Sequence, residues 1–221
     1  MQFQINKAAT TTKSAATEAD MTLINAQALR DLTPDEVFTF KVNACNDQVD
    51  RDFERFTPAT LTGLAKLFVG KTVIFDHCWS ASNQTARIYK TSVTQQENGS
   101  NVLTAECYML RNGSTKDLIA AIEGGILREV SVGCAIGKAV CSICGEEYGT
   151  CAHLKGATYD GKLCICELHD PVDAYELSFV AVPAQPNAGI TKEVQKSDWT
   201  PAEMTAAKAR LEIEQEKWRF V

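Results

Sequence analysis

The sequence lacks the long apolar runs and the excess of positive charge that would point to a membrane or to nucleic acid. No apolar stretch is long enough to span a bilayer, and the N-terminus has no apolar core of the kind found in signal peptides. The formal net charge is -6 and the isoelectric point is about 5.2, which argues against nucleic acid as the main partner. We therefore expect a protein that is made and kept in a cytoplasm, with neither a membrane nor nucleic acid as a partner.

Histidine is scarce, and cysteine is unevenly distributed. The chain of 221 residues has three histidines and nine cysteines. Most of the cysteines lie in one short stretch, at Cys134, Cys141, Cys144, Cys151, Cys164 and Cys166. An odd number of cysteines without a secretion signal disfavours a disulfide framework and favours a reducing compartment with a bound metal.

The order of strand and helix patterns predicts the fold class. Alternation of apolar and polar residues predicts strands, whereas proline and N-capping residues predict the starts of two helices. One predicted strand begins at Val37, and another surrounds Glu176. The others cover 72–75, 86–94, 102–110 and 126–140. The predicted helices run from Thr57 to Gly70 and from Ser114 to Gly124. Many strands with only two internal helices suggest an α+β fold built on a β-barrel.

Composition divides the chain into three parts. The predicted parts are a flexible leader at 1–34, a main domain at 35–192, and a linker with a C-terminal helix at 193–221. The leader is predicted because residues 7–20 are small and polar without periodicity. In the C-terminal helix, Met204, Leu211 and Trp218 recur at heptad spacing on a charged surface. This stripe fits a partner-facing or dimer-forming helix, and equally a solvated tail helix.

Three separated strand-like segments each carry one residue of a serine protease type of site. His77 follows an apolar strand, and Ser131 and Glu176 each lie within a strand. A serine hydroxyl needs a nearby base to act as a nucleophile, and the base needs an orienting partner. His77 is the base by elimination, because His153 and His169 lie in or near the cysteine-rich stretch.

Ser131 is the favoured nucleophile because Gly133 beside it leaves room for the substrate backbone to approach. Ser131 and Glu176 each project from the strand face opposite to the local apolar residues. Glu176 could accept a hydrogen bond from the second imidazole nitrogen of His77. Other carboxylates compete for this third role, namely Asp76, Glu129 and Asp173.

Five stretches of the chain, taken together, form a more specific sequence signature than any one of them does alone. They read DRD at 50–52, ERF at 54–56, GKTVIFDH at 70–77, SVG at 131–133 and ELSFVAVPAQPNA at 176–188. Across roughly residues 35 to 190, this combination resembles the prohead proteases of tailed bacteriophages and prophages, which act in capsid maturation.

The resemblance implies a herpesvirus-protease-like β-barrel and a serine endopeptidase. His77 takes the role of base, Ser131 that of nucleophile, and Glu176 that of the third member, which varies between branches of the superfamily. The implied substrates are the scaffolding protein, the major capsid protein and the chain itself, inside the assembling prohead in the host cytoplasm. The related herpesvirus enzymes also suggest a homodimer.

Two functions of other classes compete with this hypothesis. The first is a catalytically silent assembly protein of the same fold, which docks scaffold or capsid subunits. It is disfavoured because His77, Ser131 and Glu176 are all present. The second is a zinc-dependent nucleic-acid-binding protein, which is disfavoured by the acidic balance and by the lack of a basic helix beside the cysteines.

The segment at 141–166 departs from the compact family pattern and has the spacing of a zinc knuckle. A two-residue gap lets two thiolates reach one ion, and the glycine that follows permits the tight turn. The predicted ligands are Cys141, Cys144, Cys151 and His153, with Cys164 as the alternative fourth ligand. A closed four-ligand site favours structural over catalytic zinc, and reduced thiols without metal are the competing interpretation. We expect the zinc to pin an inserted loop near the substrate cleft.

Overall fold

The computed structural model describes residues 16–191, which form an α+β fold with more sheet than helix, as predicted. The α-helices in this range are α1 (Glu18–Asn25), α2 (Pro58–Phe68) and α3 (Lys116–Glu123). The strands are β1 (Val37–Asn46), β2 (Glu54–Phe56), β3 (Thr72–Phe75), β4 (Ala86–Gln95), β5 (Asn101–Leu110), β6 (Val130–Cys141), β7 (Thr158–Tyr159), β8 (Lys162–Leu163), β9 (Cys166–Phe179) and β10 (Gly189–Ile190). None of the helices in this range combines the length and the apolar character needed to cross a membrane.

One 8-stranded sheet organises the described residues. Its strands follow the order β10-β1-β5-β4-β3-β9-β2, and β6 pairs with β9. β2 and β3 both run parallel to β9, whereas β6 runs antiparallel to it along most of its length. The helix α2 connects β2 to β3, as a parallel arrangement requires. β7 and β8 form a separate hairpin.

The helix α2 begins where the sequence predicted it. The hydroxyl of Thr57 accepts a backbone N–H of the first turn, and Pro58 occupies the first helical position. Leu61, Leu64 and Phe68 are fully buried in the main hydrophobic core. Burial of each side chain contributes roughly 1.5–3 kcal/mol relative to leaving it exposed. The helix packs against β9, the strand on which the candidate site is built.

The helix α1 lies inside the segment predicted to be a flexible leader, so residues 18–25 are helical rather than flexible. The Thr17 hydroxyl accepts the Asp20 N–H, and the Asp20 carboxylate accepts the Thr17 N–H. Met21 and Ile24 are buried in a small second core beside β1 and β4. Residues 1–15, the predicted linker and the predicted C-terminal helix lie outside the described residues.

The predicted closed barrel is not found among the described residues. The strands β6 and β10 approach each other at a single antiparallel bridge, between Glu129, just before β6, and Gly189 in β10. The Val130 N–H also donates to the Ala188 carbonyl at 3.4 Å. Closure would require β6 to pair along its length with β10, and β10 contains only Gly189–Ile190.

The junction between α3 and β6 also differs from the prediction. The helix is capped at Thr115 rather than Ser114, and β6 begins at Val130 rather than at residue 126. The Ile126 N–H donates to the Ala121 carbonyl at 2.8 Å. The apolar residues after α3 therefore complete the helix C-terminus instead of starting the strand.

Candidate functional site

Three adjacent strands bring the predicted catalytic residues to one region of the sheet. β9 lies between β3 on one edge and β6 on the other. In the β6–β9 pair, Ser131 lies opposite Ser178 and Gly133 lies opposite Glu176. β3 runs beside the same part of β9 and ends just before the turn that carries His77. Residues distant in sequence therefore meet because β9 is shared.

The site residues lie on the sheet face that points away from the main core. Val130 and Leu177 are fully buried in that core. Because side chains alternate along a strand, Ser131 and Glu176 project from the opposite face. Glu176 is nevertheless only 2% exposed. Its carboxylate is therefore covered by its neighbours and needs hydrogen-bond partners.

A hydrogen-bond network links His77, Glu176 and Ser178. Nδ1 of His77 lies 2.7 Å from Oε1 of Glu176. The Ser178 hydroxyl donates to Oε2 of Glu176 at 2.6 Å. The backbone N–H of His77 donates to Oγ of Ser178 at 3.0 Å. Both oxygens of the buried carboxylate are therefore satisfied, and both the ring and the backbone of His77 are held.

Of the carboxylates that compete for the third role, Glu176 is the one that contacts the His77 ring. Asp173 instead pairs with the lysine before β3 at 3.0 Å, and this hydrogen bond lowers the pKa of Asp173. In the described part of the chain, neither Asp76 nor Glu129 forms a hydrogen bond or an ion pair with the imidazole. The geometry thus favours Glu176 as the group that orients His77.

The turn that carries His77 has an unusual backbone conformation. Asp76 and His77 have φ values of 53° and 52°, a left-handed region that residues with side chains rarely adopt. The Asn83 side chain donates to the Phe75 carbonyl at 3.0 Å, and the Ser178 hydroxyl accepts the His77 N–H. Backbone outliers of this kind cluster at active sites, where the surrounding structure holds them.

Glycine at position 133 makes room for the Glu176 carboxylate, whereas the sequence suggested that it makes room for the substrate backbone. A Cβ atom at this position would lie 2.3 Å from Oε1 of Glu176. The space beside Ser131 is therefore occupied by the carboxylate that contacts His77, rather than kept open for substrate. Any side chain at Gly133 would displace this carboxylate.

Ser131 is half-buried on β6, directly across from Ser178. In the described residues no hydrogen bond joins Ser131 to His77. Contacts between nucleophile and base are often long in unliganded enzymes and tighten when substrate binds. The arrangement therefore contains an imidazole held by a buried carboxylate and a serine on the adjacent strand.

A pocket of about 360 Å³ adjoins Ser131. One wall is formed by β6 from Val130 to Ile136. The other walls come from the end of β1, the segment around Asp50 to Phe56, and the return segment at 184–188. His77 and Glu176 do not line this pocket, so it adjoins the candidate catalytic residues only at Ser131.

The predicted metal ligands also come together. One ligand atom from each of the predicted residues lies within 4.8 Å of all the others, for Cys141, Cys144, Cys151 and His153. His153 Nδ1 is buried and has no hydrogen-bond partner among the described residues. A buried, unpaired imidazole nitrogen beside several thiols fits a metal site, because a metal ion would satisfy it. The group could therefore hold a metal ion.

The turn at 141–145 favours the thiolate form of one cysteine. Burial raises the pKa of Cys141, but hydrogen bonds from the backbone N–H groups of Cys144 and Ile143 outweigh burial and lower it to about 6. Gly145, at φ 76°, closes the turn by donating its N–H to the Cys141 carbonyl at 2.9 Å. A thiolate is the form that binds metals.

Cys164 remains an alternative ligand. Its sulfur lies 3.8 Å from the sulfur of Cys141, and its side chain is fully buried. Burial, followed by the neighbouring Cys141, raises the pKa of Cys164 to about 11. The candidate centre therefore contains one more thiol than a tetrahedral site with His153 requires.

The candidate metal centre is remote from the candidate catalytic residues, but the loop that it would hold reaches the pocket beside Ser131, because Lys155 pairs with Glu54 in the pocket lining. Cys141 ends β6 and pairs with Cys166, whereas Ser131 lies at the start of β6. At about 3.3 Å per residue, roughly 30 Å of strand separates the two sites. The strands β6 and β9 form a long antiparallel ribbon. The segment that connects them therefore lies at the end of this ribbon far from Ser131.

Comparison of the chain with protein-family models, with curated proteins and with solved structures found no match.

Proposed function

We propose that this chain is a serine endopeptidase in which His77, Ser131 and Glu176 carry the reaction. The observation that supports this most is the 2.7 Å contact between His77 Nδ1 and the buried Glu176 carboxylate, on the strand paired with the one that carries Ser131. A buried carboxylate that contacts Nδ1 leaves Nε2 as the imidazole nitrogen available to a serine hydroxyl.

In the proposed mechanism, Nε2 of His77 removes the proton from Ser131 as Oγ attacks a peptide carbonyl carbon. Glu176 accepts the Nδ1–H hydrogen bond and stabilises the imidazolium that forms. The imidazolium then protonates the leaving amine, and the C–N bond breaks to give an acyl-enzyme. Water, deprotonated by His77, attacks the ester and releases the carboxylate product with Ser131 restored.

We further propose that the activity belongs to phage capsid maturation. The support is the resemblance to prohead proteases at 50–77, 131–133 and 176–188. On this proposal the sheet, nearly closed through Glu129 and Gly189, is a variant of the herpesvirus-protease-like barrel. The substrates are the scaffolding protein, the major capsid protein and the chain itself, the setting is the prohead in the host cytoplasm, and the active form is a homodimer.

A second candidate is a catalytically silent assembly protein of the same fold. The observation that favours it is that Ser131 and His77 share no hydrogen bond in the described residues. Such a protein would keep the Glu176–His77 network as a structural element and would bind scaffold or capsid subunits without cleaving them.

We also propose that the centre at Cys141, Cys144, Cys151 and His153 holds a structural zinc ion. Thiolates and a neutral imidazole are the ligands that Zn²⁺ prefers, and four of them leave no open position for a catalytic water. The support for this proposal is that one ligand atom from each of these four residues lies within 4.8 Å of the others.

The intact mass of the purified protein, followed over time at high concentration, tests the catalytic proposal. We expect the wild-type chain to lose terminal segments and the Ser131→Ala chain to stay intact. Ser114→Ala, at an exposed serine before α3, is the matched control and should behave as wild type. Equal cleavage in Ser131→Ala would show a different nucleophile. No cleavage in any chain, including chains assembled with scaffold and capsid protein, would favour the silent assembly protein.

A further inference from the structure

The strand β6 has one edge that is left largely unpaired. Its other edge pairs with β9 from Val130 to Cys141. On the outer edge, the Val130 N–H donates to the Ala188 carbonyl, and the Ala139 carbonyl accepts the Tyr148 N–H at 2.8 Å. Between these points, no described residue forms a backbone hydrogen bond with the outer edge of 131–138.

The position of this open edge matters because it begins at the candidate nucleophile. The Val130 N–H points to the outer edge, and backbone groups alternate in direction along a strand. The N–H and C=O of Val132, next to Ser131, therefore also point outward. An unpaired strand edge binds an extended chain readily, since each added hydrogen bond continues the ladder.

The pocket beside this edge carries negative charge. Asp50, Asp52 and Glu54 line it, and no lysine, arginine or histidine of the described chain does so. The Glu54 carboxylate pairs with Lys155 at 2.5 Å, so its charge is partly compensated. Oδ1 of Asp50 accepts two backbone N–H groups of its own turn.

Asp52 is the carboxylate in this pocket that is available to bind a cationic side chain. Its side chain is exposed and forms no hydrogen bond or ion pair with any described residue. Arg51 beside it does not neutralise the pocket, because its guanidinium donates to the Pro183 carbonyl. The hydrogen bond to Glu54 and, more weakly, the Asp52 charge raise the pKa of Lys155. A cationic side chain that entered the pocket from β6 would therefore meet a negative charge at Asp52 that is only partly compensated.

We propose that the outer edge of β6 binds the substrate as an added strand, and that the adjoining pocket selects a lysine or arginine next to the cleaved bond. The inference deepens the proposed endopeptidase function and rests on it. The edge, defined as residues 131–138, aligns the peptide backbone, and Asp52 supplies the charge that the cationic side chain recognises.

Cleavage of a peptide library tests the selectivity. The probe is a mixture of proteome-derived peptides, and new termini that depend on Ser131 are read by mass spectrometry. We expect lysine or arginine near the cleaved bond to be enriched several-fold. Asp52→Lys should reduce that enrichment by roughly threefold to tenfold, as for a charge pair of about 1 kcal/mol. Asp35→Lys, at an exposed aspartate outside the pocket, is the control and should keep it.

Hydrogen exchange tests the edge independently of catalysis. The Ser131→Ala protein is mixed with two decapeptides that differ only in a central lysine or glutamate. We expect the lysine peptide to protect the amides of 131–138 and to bind several-fold more tightly than the glutamate peptide. Protection elsewhere, or equal binding of the two peptides, would overturn the inference. So would protection of 131–138 that rises with protein concentration without peptide, because a second copy would then occupy the edge.

The outcomes separate the two proposals. Ser131-dependent cleavage without a preference for basic residues would refute the inference and leave the endopeptidase standing. Absence of Ser131-dependent cleavage would refute the endopeptidase, and the inference about its substrate would fall with it. In that case, protection of 131–138 by the lysine peptide would identify a peptide-binding site without catalysis.

Discussion

At the scale of single residues, the site depends on a buried carboxylate whose two oxygens have different partners. Oε1 of Glu176 contacts the His77 ring, and Oε2 accepts the Ser178 hydroxyl. Ser178 also accepts the His77 N–H, so one serine fixes both the carboxylate and the turn that carries the base. The role of Ser178 depends on the register between β3, β6 and β9, which no local sequence pattern contains.

Substitution of Gly133 gives a direct test of this arrangement. The Cβ atom of Gly133→Ala would lie 2.3 Å from Oε1 of Glu176, so we expect the carboxylate to move and its hydrogen bond to His77 to break. A misoriented base should reduce kcat by roughly a hundredfold or more, with a smaller change in KM. Kinetics on a peptide substrate, with far-ultraviolet circular dichroism to confirm folding, measure this.

Gly113→Ala is the matched control for that variant. A Cβ atom at Gly113 would meet nothing within 4 Å, so its kcat should equal that of wild type. A folded Gly133→Ala protein with full activity would show that the contact between Glu176 and His77 is not needed for the reaction.

At the scale of elements, the ribbon of β6 and β9 has a candidate catalytic site at one end and a candidate metal centre at the other. The cluster of candidate ligands could be predicted from the sequence, because the spacing of Cys141 and Cys144 is local. Their distance from Ser131 could not be predicted, since it depends on how far β6 and β9 stay paired. The pairing extends to Cys141 and Cys166, which places the centre beyond the end of the ribbon.

Metal removal should therefore loosen one end of the ribbon and leave the other end intact. We expect about one zinc per chain after purification without added metal, and much less in Cys144→Ser. Loss of the ion should lower stability by about 3 kcal/mol or more, or roughly 6–12 °C in Tm. Hydrogen exchange should increase within 141–166, while the amides near Ser131 that face β9 stay protected.

Cys78→Ser is the control for metal content, because Cys78 is exposed and outside the cluster. A wild-type protein that carries well under one zinc per chain as purified, and that unfolds at the same temperature as Cys144→Ser even after zinc is added, would refute a structural zinc. Increased exchange of the amides near Ser131 on metal loss would show that the two ends of the ribbon are coupled despite their separation.

At the scale of the whole molecule, local patterns predicted most of the strands but not their arrangement. Alternation predicted β1, because alternation is a property of adjacent residues. The same holds for Asn98-Gly99, a dipeptide typical of hairpin turns, which lies between the paired strands β4 and β5. The helix α1 was missed although Thr17 and Asp20 form a capping box, since the small polar residues before it dominated the interpretation. The open edge of β6 was not predicted, because edge pairing is set by residues far apart in sequence.

The return segment at 184–188 leads into β10, and Gln185 anchors this segment to the end of β1. The Gln185 amide donates to the Asn46 carbonyl at 2.9 Å and accepts the Asn46 N–H at 2.6 Å, and Gln185 is 6% exposed. The adjacent Ala184 carbonyl accepts the Arg51 N–H at 3.1 Å. This segment holds the end of β1 against the pocket wall and leads directly to the bridge between Glu129 and Gly189.

Gln185→Ala should therefore destabilise the whole domain rather than one loop. The substitution leaves the buried N–H and C=O of Asn46 without partners, which should lower the free energy of unfolding by about 2–4 kcal/mol. Urea unfolding followed by circular dichroism measures this change. Gln95→Ala is the control, because Gln95 makes its hydrogen bond in an exposed turn, and its effect should stay below about 0.5 kcal/mol. Equal stability of the two variants would mean that the return segment does not hold the ends of the sheet together, and the single bridge at Glu129 would then be incidental to the fold.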